Sequence, residues 1–172
     1  TMYFESFDIK DLTNDIFEQF ETKAEKKSIK LILNSGEMDK VWVDADYNRI
    51  KQVLTNLVHN AVKYNPEFCE VSVNFFQDLE NKRIKIQVQD DGTGISDEHV
   101  PRMFERFYRV EKSRSKKQGG TGLGLAISKH IIERHESSIS VESQLNQGTT
   151  FTFYLRSAEG SEEIPYDEKE DW

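Results

Sequence analysis

The sequence predicts an α+β domain, because segments with helical spacing of apolar residues are interleaved along the 172-residue chain with segments of strict alternation. The cleanest helix is 47–64, where Ile50, Val53, Leu54, Leu57, Val58, Ala61 and Val62 line one face. The cleanest strands are 70–76 and 83–89, with Val71, Val73, Phe75 and Ile84, Ile86, Val88 alternating with polar neighbours and a QDLEN link that makes them a hairpin. A hydrophobic content of 36% suits one sizeable core and a single domain.

Taken in order, residues 7–24 form a helix with Leu12, Ile16, Phe17 and Phe20 on its apolar side and Asp8 or Asp11 in its first turn. Residues 29–33 (IKLIL) read as a strand and 41–43 as a second, short one. Asp46 then caps the 47–64 helix, its carboxylate placed to accept a free N–H of the first turn. After the hairpin, Ser96 caps a short helix over 97–103, and FERFYR follows with Phe104 and Phe107 expected in the core. The basic run 110–118 (VEKSRSKKQ) has no apolar period and is a loop. Leu123, Ala126, Ile127 and Ile131 restore helical spacing. Strands over 138–143 and 149–155 close the domain, with Ile139, Val141, Phe151, Phe153 and Leu155 inward.

Three stretches carry chemistry. In 118–135 (QGGTGLGLAISKHIIERH), Gly119, Gly120, Gly122 and Gly124 precede a helix N-terminus, whose free N–H groups and dipole favour an anion. The stretch lacks the GxxxxGK[ST] spacing and a preceding strand, so a phosphate segment and a plain turn both stay open. On the 47–64 helix, Gln52, Asn56, Asn60 and Lys63 fall in a narrow stripe away from the apolar face. Asparagine is a mediocre helix former, so two of them one turn apart point to a pocket in which amide oxygens ligate a hard cation such as Mg²⁺. A solvated polar face accounts equally for Gln52 and Lys63. Finally, Asp90-Asp91-Gly92-Thr93-Gly94-Ile95 is either a turn or a carboxylate held at a strand end to accept a hydrogen bond from an exocyclic amine.

The net charge is −8, of which residues 157–172, with seven acids and one Lys, supply −6, so nucleic acid is not the expected partner. Between Pro101 and Gly120 seven bases face two acids, a local anion site or a solvated loop. The single Cys69 excludes an internal disulfide and a thiolate metal cluster and suits a small buried hydrophobe. No apolar run approaches a membrane span, and nothing reads as a targeting signal.

Four segments in this order, NLVHNAVKY, DDGTGI, FERFYR and GGTGLGLAISK, resemble the N, G1, F and G2 boxes of the catalytic ATP-binding domain of bacterial sensor histidine kinases. The resemblance spans residues 7–155 and looks most like the membrane-anchored, phosphate-sensor type. It implies the Bergerat-type fold of gyrase, Hsp90 and MutL ATPases: a two-layer sandwich in which a mixed, mostly antiparallel sheet of about five strands carries helices on one face, with a mobile ATP lid. Residues 1–156 would be the ATP-binding catalytic domain, and 157–172 an acidic tail with the composition of disorder. The resemblance further implies that Asn60 coordinates Mg²⁺ with Asn56 assisting, that Lys63 and Arg109 hold phosphate oxygens, and that Tyr64 packs on the adenine. Asp90 would accept the adenine amine, with Gly92 and Gly94 admitting the base beside Ile95. Gly120, Thr121, Gly122, Leu123 and Gly124 would form the phosphate-side edge of the lid. Asn60, Lys63 and Arg109 would be the catalytic group.

The implied partners are a His-bearing dimerisation domain of the same full-length kinase and a downstream response regulator. The full-length kinase would be a homodimer with this part on the cytoplasmic side of the membrane, and the present chain a monomer making no membrane contact. The family's SHELRTP-like phosphoacceptor motif is absent from the sequence, so the acceptor hairpin is expected to precede it, and His59, His99, His130 and His135 read as surface or packing residues. Two departures stand out: His135-Glu136-Ser137 where the family usually has His-Gly-Gly, and Asn146-Gln147-Gly148-Thr149 where a GxGT turn is common. Both are expected to be turns distant from the nucleotide. The alternatives are an ATP-hydrolysing clamp of the gyrase or Hsp90 type, whose base Glu stands one turn before the metal Asn where this chain has Asn56, and a degenerate nucleotide-binding or docking module.

Overall fold

The first element is a strand that the periodicity did not predict. β1 (Phe4–Asp8) runs antiparallel to β3 (Trp42–Asp46), so Phe7 belongs to the sheet rather than to a helix. Only Phe7 and Asp8 of β1 are buried, which leaves the alternation of an edge strand too faint to read. The computed structural model describes residues 1–108 and 124–158.

Asp8 ends β1 and caps α1 (Ile9–Lys26), its Oδ1 accepting from the N–H groups of Lys10 (3.0 Å) and Val41 (2.9 Å). Asp46 does the same for α2 (Tyr47–Tyr64), with Oδ1 accepting from Arg49 N–H (3.2 Å) and Oδ2 from Tyr3 N–H (3.0 Å). Burial works to raise the Asp46 pKa, but those N–H groups and the charges of Arg49 and His135 outweigh it and bring the carboxyl below its ordinary value. All seven apolar positions predicted for α2 are buried.

The remaining elements are β2 (Lys30–Asn34), β4 (Glu70–Asp78), β5 (Arg83–Asp90), α3 (Gly124–Arg134), β6 (Ile139–Gln144) and β7 (Gly148–Ser157). Among the described residues the sheet has seven strands rather than about five, in the order β1-β3-β7-β5-β4-β2, with β6 alongside the first half of β7. The β2–β4 pair is parallel and the other pairs are antiparallel. The inward side chains of β3, β4, β5 and β7 form one core with α1, α2 and α3, giving the expected two-layer mixed α+β arrangement.

Three local expectations need correction. The helix expected over 97–103 is only a 3₁₀ turn, Val100–Arg102, because Pro101 has no N–H and restricts its predecessor; Ser96 contributes its carbonyl, not a side-chain cap. Phe104 does pack edge-on against Phe151 (centroids 6.0 Å apart), but Phe107 is 61% exposed and has φ +65°. On α3 the buried positions are Ser128, Ile131 and Ile132, while Ile127 is exposed.

The chain leaves α3 through a Schellman turn, in which Glu136 N–H donates to Glu133 O (2.9 Å) and Ser137 N–H to Ile132 O (3.2 Å). Glu136 occupies the left-handed position, φ +60°, that glycine prefers. Glu136→Gly is therefore expected to stabilise the fold by about 1 kcal/mol, the left-handed penalty less the extra unfolded-state freedom of glycine. A urea melt checks this, and an unchanged or lower midpoint would contradict it. Beside this turn His135 donates from Nδ1 to Ile131 O (2.9 Å) and accepts Asp46 N–H at Nε2 (3.1 Å), tying the end of α3 to the start of α2. That bridge, and the tilted ring contact of His59 with Phe20 (centroids 5.8 Å apart), make both histidines packing residues as expected. Burial, with Lys63 and Lys23 nearby, pushes the His59 pKa down.

Candidate functional site

The polar stripe of α2 lies as predicted along the helix side away from its buried face: Gln52 is exposed, and Asn56, Asn60 and Lys63 are half-buried. The Asn56 amide nitrogen is engaged in packing, since Nδ2 donates to Gly124 O (3.2 Å) and Ser128 Oγ (3.4 Å), joining α2 to the first turns of α3, while its Oδ1 accepts no hydrogen bond among the described residues. Gly124 sits against it with room for a methyl group, since an added Cβ would lie 3.5 Å from the Asn56 amide. The half-buried Asn60 amide, by contrast, makes no hydrogen bond among the described residues. A polar group withdrawn from water without a partner is what a ligand site leaves for its ligand to satisfy. Lys63 Nζ lies 5.5 Å from the centroid of the Tyr64 ring, and Tyr64 is 46% exposed.

The last turn of α2 is tightly held. Lys27 Nζ caps it by donating to Val62 O (2.8 Å) and Lys63 O (3.0 Å), and Asn65 Nδ2 donates to Ala61 O (2.8 Å). Asn65 is extended, as a residue before proline prefers, and its Oδ1 accepts from Thr93 N–H at 3.3 Å. Sequence reasoning missed Asn65; its one local signal was an Asn-Pro pair at a helix end.

At the end of β5 burial pushes the Asp90 carboxyl above its ordinary range. Hydrogen bonds from Gly92 N–H, the Asn65 amide and Thr149 N–H hold it back, and the charge of Asp91 adds to the rise. Asp90 Oδ1 accepts from Gly92 N–H at 2.9 Å. A desolvated carboxylate at a strand end is suited to take a further donor from a ligand. Both glycines of this segment are also required by contacts within the protein. A Cβ on Gly92 would fall 1.9 Å from Asn65 Oδ1, and Gly94, at φ +74°, would place one 1.9 Å from Gln144 O.

The same contacts correct the expectation that the β6–β7 turn is remote. Asn146 N–H donates to Thr93 O (2.6 Å), and Ile95 N–H donates to Ser143 Oγ (2.8 Å), which in turn bonds Gly148 O (2.9 Å). The turn braces the Asp90-to-Ile95 segment from the side opposite α2. Asn146 takes the left-handed conformation (φ +64°) that asparagine tolerates, as expected.

Arg109, Gly119, Gly120, Thr121, Gly122 and Leu123 lie outside the described residues, as does the tail from residue 159. Among the described residues no cluster of three or more His, Cys, Asp or Glu could hold a metal, so a divalent cation at Asn60 would take its other oxygens from a bound phosphate ligand and water. The donor set fits that mode: the amide oxygens of Asn60 and Asn56, neither accepting a hydrogen bond among the described residues, with a lysine three residues beyond Asn60 on the same stripe.

Residues 45–159 match the family model of histidine kinase-, DNA gyrase B- and HSP90-like ATPases. The chain is 40% identical over 148 residues to the sensor histidine kinase WalK of Bacillus subtilis, a match that covers 86% of this chain but 24% of WalK. The catalytic domain of the histidine kinase ThkA superposes with a TM-score of 0.78 at 29% identity, covering 91% of this chain and 97% of that one. ThkA has also been solved in complex with the response regulator protein TrrA. Full-length ShkA in complex with AMPPNP superposes with a TM-score of 0.78 at 27% identity, covering 92% of this chain and 32% of ShkA. The chain belongs to the family of histidine kinase-, DNA gyrase B- and HSP90-like ATPases, and within it is an ATP-binding catalytic domain of the sensor histidine kinase kind.

Proposed function

We propose that the chain binds ATP with Mg²⁺ and supplies the γ-phosphoryl group to a histidine on the dimerisation domain of a longer sensor kinase. The observation that carries this reading is the pairing of two poised groups, the Asn60 amide on α2, without a hydrogen bond among the described residues, and the desolvated Asp90 carboxylate at the end of β5, on elements locked together through Asn65. Asp90 accepts the adenine amine and Tyr64 packs on the ring. Lys63, with Arg109, holds phosphate oxygens, and Gly120, Thr121, Gly122, Leu123 and Gly124 form the phosphate-side edge of a lid. Asn60 holds the metal, with Asn56 assisting through its amide oxygen while its amide nitrogen holds α3. Mg²⁺, when bound, neutralises phosphate charge.

The rest of the catalysis is positioning. The acceptor imidazole nitrogen forms a bond to the γ-phosphorus as the bond to the departing ADP oxygen breaks, and the imidazole proton leaves to water. The AMPPNP complex of ShkA supports nucleotide binding at this fold, and the ThkA–TrrA complex supports a response regulator as the next acceptor. Among the described residues no helix is long and apolar enough to cross a membrane. We place the domain, taken as residues 1–156 with an acidic tail after it, on the cytoplasmic side of a membrane-anchored homodimer. The gyrase-type clamp is disfavoured because position 56 carries an amide, which cannot take a proton from water at neutral pH and already donates to α3.

The test supplies the chain with γ-labelled ATP, Mg²⁺ and a separately produced acceptor hairpin from a sensor kinase. Acid-labile, alkali-stable label on the hairpin is expected. Its absence, with ATP bound, would overturn the transfer step.

A further inference from the structure

Asn65 does more than end a helix. Closing α2 requires only the 2.8 Å bond from its Nδ2 to Ala61 O, yet the same side chain, 8% exposed, also accepts Thr93 N–H and fills the space that the missing Cβ of Gly92 leaves. The same amide also favours the ionised form of the Asp90 carboxylate. One amide thus touches the last turn of the helix that bears Asn60 and Lys63 and two residues, Gly92 and Thr93, of the segment that bears Asp90.

We propose that Asn65 is a positioning residue for base recognition, holding the Asp90 carboxylate in register with the phosphate-holding stripe of α2; this rests on the ATP site proposed above. The contact is specific to an amide. The oxygen meets a backbone donor and the nitrogen a backbone carbonyl, a donor and acceptor pair that a carboxylate cannot supply. Among the described residues, the groups that act on Asp90 are the N–H groups of Gly92 and Thr149, the Asn65 amide, the Asp91 carboxylate on the same segment, and the Cys69 thiol before β4, itself pushed up by burial and by Asp91 and Asp90. Lys27 is the cation on the Cys69 side. Removing the Asn65 amide takes away a donor that favours the ionised form of Asp90, so protonation of Asp90 then begins at a higher pH.

The experiment titrates the 172-residue chain and its Asn65→Ala variant with ATP and with inosine triphosphate, which carries a carbonyl where adenine has its amine. Wild type is expected to prefer ATP. Asn65→Ala should lose about tenfold in ATP affinity, the usual order for a lost hydrogen bond to a charged group, with inosine triphosphate affinity nearly unchanged. Its ATP affinity should also fall away at a higher pH on acidification than that of wild type. Retained ATP preference in the variant, or an equal loss of both nucleotides, overturns the proposal, the latter marking a merely structural role. If Asn65→Ala does not melt cooperatively, Asn65→Asp carries the same comparison, because it keeps the size and the Thr93 contact but sets a second carboxylate beside Asp90. A wild-type chain that binds neither nucleotide overturns the ATP site itself; a wild-type chain that binds both with no preference spares that site but removes the base recognition that Asn65 would serve.

Discussion

Asp90→Ala is expected to lower ATP affinity by about one to two orders of magnitude, since it removes a charge-assisted hydrogen bond made in a partly desolvated site. The fold should survive the change. Burial raises the folded-state pKa of Asp90 above its unfolded value, so the ionised carboxylate is a net cost to the folded state at neutral pH. That cost is absent below the unfolded pKa and sets in as pH rises through the folded one. Calorimetric titration of the variant, beside a melt that shows cooperative unfolding, separates loss of the ligand contact from loss of structure. Near-wild-type affinity in a folded variant would remove Asp90 from the site.

Asn60→Ala should act at the other end of the ligand. With that amide gone, ATP is expected to bind with the same affinity in Mg²⁺ as in EDTA, and transfer to an acceptor hairpin should fall by about a thousandfold, the range in which metal and charge-neutralising groups contribute. Asn56→Ala makes the contrast, because the Asn56 amide nitrogen also holds Gly124 O and Ser128 Oγ. Its removal should loosen the α2–α3 contact and leave a measurable Mg²⁺ dependence. An Asn60→Ala variant that keeps the full difference between Mg²⁺ and EDTA would place the metal elsewhere.

What the sequence made legible follows from where each signal lives. The buried face of α2, its Asp46 cap, the polar stripe on its other side and the β4–β5 hairpin are written in local spacing, and all four stand in the structure. β1 was not legible because an edge strand with two buried residues carries almost no alternation. Pro101 was a local signal left unused, and it cut the expected helix to one turn. The fates of Phe104 and Phe107 diverge through a tertiary partner, Phe151, that no spacing rule names.

The candidate site shows the same division. Asn60 and Asp90 are recognisable as residue types in suggestive places. That one side chain, Asn65, joins their elements is visible only once Thr93, 28 residues further on, lies against it. Likewise the bracing of the glycine segment by Ser143 and Asn146 depends on β6 and β7 folding back beside β5.

The most direct measurement is a calorimetric titration of the unmodified 172-residue chain with ATP, once with Mg²⁺ and once with EDTA. A site that reads adenine through Asp90 and holds a metal through Asn60 predicts saturable one-to-one binding in both, and tighter binding with Mg²⁺. No saturable binding in either condition, or identical affinity in both, would contradict it.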